Sequence, residues 1–177
     1  MAVLAIRTNV AHWSSPFCKK LDKHLNDSGV QLVDLPWNFE LLQNDRDHFT
    51  VRGFDAFRRA LTTALSSEGV EGNVFLIADS TVDFSNGSDP ARPADEKLRK
   101  SLAAGGMNAT IASQCGSGFC ALQERRKSFV HLAKHKTRVN PELKKARWVL
   151  VGGWNDEQAC CLTDVKRAVS DLLELRG

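Results

Sequence analysis

Three short segments carry the residue types that acyl chemistry requires. In Leu76-Ile77-Ala78-Asp79-Ser80-Thr81 an apolar run ends directly on Asp-Ser. A serine hydroxyl placed there can attack a carbonyl carbon once a base removes its proton. In Asp45-Arg46-Asp47-His48 a carboxylate stands three residues before an imidazole. The two can face one pocket, Asp45 holding the ring in the tautomer that a general base needs. Asp47, adjacent to His48, points its side chain away from such a pocket. In Val151-Gly152-Gly153-Trp154-Asn155-Asp156 the glycines let the backbone bend sharply and approach a ligand. The Asn155 amide can donate to a developing oxyanion. Each segment also has a plainer reading, as a serine ending a strand, a solvated loop histidine, or an Asn or Asp capping a helix.

These residues need elements to hold them. Short apolar runs predict strands over 2–7, 30–34, 73–78, 107–112 and 147–152. Helical spacing predicts helices near 14–27, 51–66, 92–104, 119–136 and 157–175. The first opens on Ser14-Ser15-Pro16, a cap followed by a proline suited to a first turn. The last follows Asn155-Asp156 and carries Leu162, Val165, Val169, Leu172 and Leu173 on one face. Strands alternating with helices imply parallel pairing and right-handed crossovers, hence a five-stranded α/β/α sandwich. Functional residues then collect beyond the carboxyl ends of the strands. Segments 66–72 and 84–92 read as flexible joins.

The 177 residues suit one domain with a sizeable core. A formal charge of +3 is too weak to imply nucleic acid, and no apolar run approaches a membrane span. Residues 125–147 carry nine Lys or Arg against Glu142 alone, best read as a solvated helix face. Five cysteines (Cys18, Cys115, Cys120, Cys160, Cys161) without CxxC spacing argue against a disulfide framework and a zinc ribbon. With no signal-peptide pattern at the N-terminus, a reducing, cytoplasmic setting is expected. His131 and His135 are expected on an exposed helix face, and the tryptophans mostly in packing, with Trp154 the one inside a polar loop.

Together the three segments resemble the motif blocks of the SGNH (GDSL-like) hydrolases: Gly-Asp-Ser, Gly-x-Asn-Asp and Asp-x-x-His. The matches are Ala78-Asp79-Ser80, Gly153-Trp154-Asn155-Asp156 and Asp45-Arg46-Asp47-His48, and the likeness extends from Asp45 to Leu61. The remaining block, a glycine donating its backbone N–H, corresponds to Cys115-Gly116-Ser117-Gly118-Phe119, with Gly118 favoured and Gly116 the alternative. Ala78 stands where the motif has glycine. The block order also departs from the family, because Asp-x-x-His comes first. A circular permutation reconciles it, 1–66 matching the family's end and 73–177 its beginning.

The resemblance implies a flavodoxin-like SGNH fold, circularly permuted, in a single domain over 1–177. It further implies a catalytic triad of Ser80, His48 and Asp45 and an oxyanion hole of Ser80, Gly118 and Asn155. Asp79, Gly116 and Trp154 would border the substrate. No metal or cofactor is implied, and the substrate class is a small or exposed O-acyl ester. The alternatives are a catalytically inactive binding domain of the same fold and a flavodoxin-like nucleotide or phosphate binder. The second lacks a phosphate-cradling Gly-x-x-x-x-Gly-Lys loop.

Overall fold

Alternating side chains along five short apolar runs build two cores on one sheet. The computed structural model describes residues 3–7, 15–35, 51–79, 82, 94–114, 117–120, 128–152, 156 and 161–177. In chain order the elements are β1 (Val3–Arg7), α1 (Pro16–Asp27), β2 (Val30–Asp34), α2 (Val51–Ser67), β3 (Gly72–Ala78) and α3 (Ala94–Ala104). These are followed by β4 (Met107–Ser113), α4 (Phe129–Val139), a 3-10 turn (Pro141–Lys145), β5 (Arg147–Val151) and α5 (Leu162–Arg176). All strand pairings are parallel, in the order β2-β1-β5-β3-β4.

Phe75 and Ile77 of β3 and Trp148 and Leu150 of β5 bury against α1, α4 and α5. Their neighbours Leu76 and Ala78, Val149 and Val151 bury against α2 and α3. That two-residue period on both faces is what a sheet covered by helices on each side demands. The Trp148 ring packs edge-on against Phe75 at 5.1 Å, and its Nε1–H donates to the Leu143 carbonyl at 2.8 Å. Connections that step one way along the sheet (α1, α4) lie on one face. Those that step the other way (α2, α3) lie on the other, as a uniform crossover hand requires.

Local signals set several boundaries. Ser15 is extended and its Oγ accepts from the Cys18 N–H at 3.1 Å, with Pro16 at the first helical position. The 66–72 segment is a capped turn rather than the flexible join expected. Gly69 has φ 66°, the Val70 N–H bonds back to the Leu65 carbonyl at 2.9 Å, and the Val70 side chain is buried. This is the hydrogen-bonded helix end that a left-handed glycine allows. The 84–92 join lies outside the described residues.

Two helix starts differ from the sequence expectation. α4 begins at Phe129, not 119, because Phe119 is withdrawn into the core against the Phe129 ring at 5.3 Å. The start is fixed by Ser128, whose Oγ accepts from the His131 N–H. α5 begins at Leu162 rather than 157. Among the described residues, no helix is long and apolar enough to cross a membrane.

Candidate active site

The helices that follow β3 and β5 leave for opposite faces of the sheet: α3 joins one core and α5 the other. β3 and β5 are neighbours, so the switch point of the sheet lies between their carboxyl ends, the position at which doubly wound sheets form a ligand crevice. Counted in a circle from β3, the strand order reads 2-1-3-4-5, the flavodoxin-like order. Asp79-Ser80 follows the first strand of the pair and Gly152 to Asp156 the second.

Three strand ends are braced to one another around this crevice. From the β4 side, the Gln114 N–H donates to the Ala78 carbonyl at 3.2 Å, and the Ser117 hydroxyl bonds the Ala78 and Gln114 carbonyls at 3.1 and 2.6 Å. From β3, the Asp79 N–H donates to the Val151 carbonyl at 3.2 Å. The Asp79 carboxylate lies across Gly152, which has φ 129° and no room for a side chain. From the β5 side, the Asp156 carboxylate accepts from the Phe119 N–H at 2.8 Å and the Cys120 N–H at 2.9 Å. Asp156 also covers Gly118: a Cβ there would lie 2.6 Å from Oδ2. Both carboxylates are buried, Asp79 at 2 % exposure and Asp156 at 0 %. A buried charge persists only when hydrogen bonds replace its lost water. The Asp156 pair of backbone donors is of that kind.

Of the residues the sequence singled out, Asp79 and Gly118 are described, and the brace brings their loops to the same edge. Ser80, Asp45, His48, Asn155, Trp154 and Gly116 lie outside the described residues. Their flanks are fixed, however. The Val82 N–H donates to the Asp79 carbonyl at 3.1 Å, and the Val82 side chain is fully buried. Val82 shares a core cluster with Leu35, just after β2, and with Phe54 and Phe57 in the first turns of α2. Ala78, where the motif has glycine, sends its methyl into that same core. In α2 the Arg58 side chain bonds the Asp55 carboxylate at 3.1 Å and holds it below the ordinary carboxylate range.

Sequence reasoning missed the part Asp156 plays. It read as a helix cap, whereas its carboxylate serves the β4 loop. The signal was its place directly after Asn155.

Two other features stand out, the first sharing Phe119 and Cys120 with the Asp156 brace. An open groove of about 390 Å³ between α4 and α5 is lined by Phe119, Cys120, Ser128, His131, Lys134 and Arg167. The 2.9 Å contact of Ser128 Oγ with His131 Nδ1 within it belongs to the α4 cap, since the same hydroxyl accepts the His131 N–H. His131 and His135 are exposed, as expected. The cations Lys144, Lys145 and Arg147 cluster at the amino edge, where β5 begins. A five-residue strand spans roughly 17 Å. That is about two screening lengths at physiological salt, so these charges do not steer ligands to the crevice.

Among the described residues, no group of three His, Cys, Asp or Glu is placed to hold a metal ion. Comparison with known proteins finds no matching family model, no matching curated protein and no matching solved structure.

Proposed function

We propose that the chain is a circularly permuted SGNH-type serine esterase acting on small or exposed O-acyl esters. The observation that carries this reading is topological. The Asp79-Ser80 motif and the Gly153-Trp154-Asn155-Asp156 motif follow adjacent strands at the switch point, with the glycine loop of β4 hydrogen-bonded to both. The circular strand order starting at β3 supports the permutation, and the four-residue capped turn between α2 and β3 is a compact join for what would be the family's two ends.

In the mechanism, His48 takes the Ser80 proton while Asp45 holds the imidazole. The Ser80 oxygen forms a bond to the ester carbonyl carbon, and the negative charge moves to the carbonyl oxygen. The Ser80 and Gly118 backbone N–H groups and the Asn155 amide stabilise that oxyanion. Each such donor contributes about 3 kcal/mol to lowering the barrier, roughly a hundredfold in rate. As the charge returns, the alcohol leaves with the proton from His48, and water then releases the acyl group by the same steps. The bond from the Val82 N–H to the Asp79 carbonyl and the buried Val82 side chain anchor the chain on both sides of Ser80, which supports a preorganised nucleophile.

Hydrolysis of p-nitrophenyl acetate and butyrate by the parent, Ser80→Ala, His48→Ala and Asn155→Ala tests the reading. Turnover that disappears with Ser80 and His48 and falls about a hundredfold with Asn155 is expected. A parent without turnover, or turnover that survives Ser80→Ala, refutes it and favours a binding domain on this fold.

A further inference from the structure

We infer that Asp156 is a positioning residue that sets the two loop-borne oxyanion donors, Gly118 and Asn155, in register with each other. The inference rests on the esterase reading. The two donors belong to different loops, one after β4 and one after β5, and no strand pairing joins those strands: β3 lies between them. The sheet ladder relates their strands only through β3, whereas the Asp156 carboxylate joins the two loops directly.

The bridge is attached one covalent step from each donor. Asp156 follows Asn155 directly, and its carboxylate grips the N–H groups of Phe119 and Cys120, the two residues that follow Gly118. It is gripped in turn by sterics. The carboxylate fills the space of a Gly118 side chain, with Oδ2 and Oδ1 at 2.6 and 2.7 Å from where a Cβ would stand. The Gly118 carbonyl accepts from the Phe129 N–H at 2.7 Å, tying the loop to the start of α4. With 0 % exposure, Asp156 has no water to turn to if either loop shifts. Charge-assisted hydrogen bonds from two consecutive amides hold both loops in one arrangement.

Asn in place of Asp keeps the shape but offers one oxygen to two amides and turns an NH₂ group toward the other. One bridge is lost while the packing volume stays. Misplacing an oxyanion donor by about 1 Å costs up to a hundredfold in rate and leaves ground-state binding untouched. A residue that only stabilises the fold lowers the population of active molecules and leaves each of them at full speed.

The test compares the parent with Asp156→Asn in p-nitrophenyl acetate hydrolysis, with competent sites counted by stoichiometric labelling with an organophosphonate. The expected result is a kcat per labelled site down by about ten- to a hundredfold, KM within about twofold, and an unmoved pH profile. A kcat per labelled site within about twofold of the parent overturns the inference and leaves Asp156 a fold-stabilising residue. Should Asp156→Asn not fold, Gly118→Ala presses on the same carboxylate from the other side while keeping its own N–H. It must show the same split, and an unchanged kcat in that variant overturns the inference equally. A parent with no turnover sinks the esterase reading and this inference together. A parent that turns over beside an equally fast variant sinks this one alone.

Discussion

At the amino edge of the sheet, Gly29, Gly69, Gly72 and Gly106 have φ between 66° and 81°, and a Cβ added to any of them meets nothing within 4 Å. At the carboxyl edge, Gly118 and Gly152 face carboxylates so closely that a Cβ cannot be added without displacing Asp156 or Asp79. These four glycines are present for their backbone angle, which lets a helix stop and a strand begin within a few residues, while Gly105 beside them is closely packed against Thr62 and Met107. The carboxyl-edge glycines are present for closeness. The buried polar residues follow the same division. Asp79, Ser117, Asp156 and Ser128 lie at or near the carboxyl edge, while Thr137 bonds back to the Ala133 and Lys134 carbonyls of its own helix. One end of this sheet is built for economical turning, the other for placing charges and amides next to backbone. Active-site edges are where folds accept such costs.

Substitutions at the two edges should separate accordingly. Gly152→Ala combines a positive φ with a collision at Asp79, so it should cost about 4 kcal/mol and take ester hydrolysis with it. A denaturant melt showing a loss under about 1 kcal/mol would remove the distinction drawn here. Ser117→Ala removes the hydroxyl that ties the β4 loop to Ala78, and about 1.5 kcal/mol with a clear fall in kcat is expected. Unchanged kinetics would show that this strut does not reach the site. Gly69→Ala should cost about 1 kcal/mol through its backbone angle alone and leave kcat and KM as they were; lost activity there would break the contrast. The smallest effect concerns Asp55. Its folded pKa is lowered by Arg58, so its stabilisation is complete above the ordinary carboxylate range and disappears as pH falls through the lowered value. For a pair this exposed, Asp55→Asn should lower Tm slightly near neutral pH and by less and less as pH falls below the ordinary carboxylate range. A Tm difference that grows on acidification would reverse the sign argued.

The strands were legible in the sequence almost to the residue, because they are short apolar runs that mostly stop at Gly, Asn, Asp or Ser, and both faces of the sheet are covered. The first helix was legible through Ser15-Pro16, and the apolar face of the last through Val165, Val169 and Leu172, all of which are buried. The early start expected for α4 failed at Phe119. Nothing local distinguishes a phenylalanine that opens a helix from one pulled inward to meet Phe129 and to donate its N–H to the Asp156 carboxylate. Of the site, the sequence offered the motif residues and their spacing. It offered no sign that Gly118 and Gly152 are held under carboxylates.

Taken alone, then, the sequence determined the alternation of strand and helix, the two-residue and helical periods that assign side chains to cores, and the residues fit for acyl chemistry. These are properties of short stretches, set by propensity and by the need to bury apolar surface. Only the tertiary structure decided the order β2-β1-β5-β3-β4, the crevice between β3 and β5, and the bonds that bind three strand ends around it. Those bonds join residues some 37 and 39 positions apart in the chain. Their partners become known only when the sheet has closed off water and left each buried polar group one place to go.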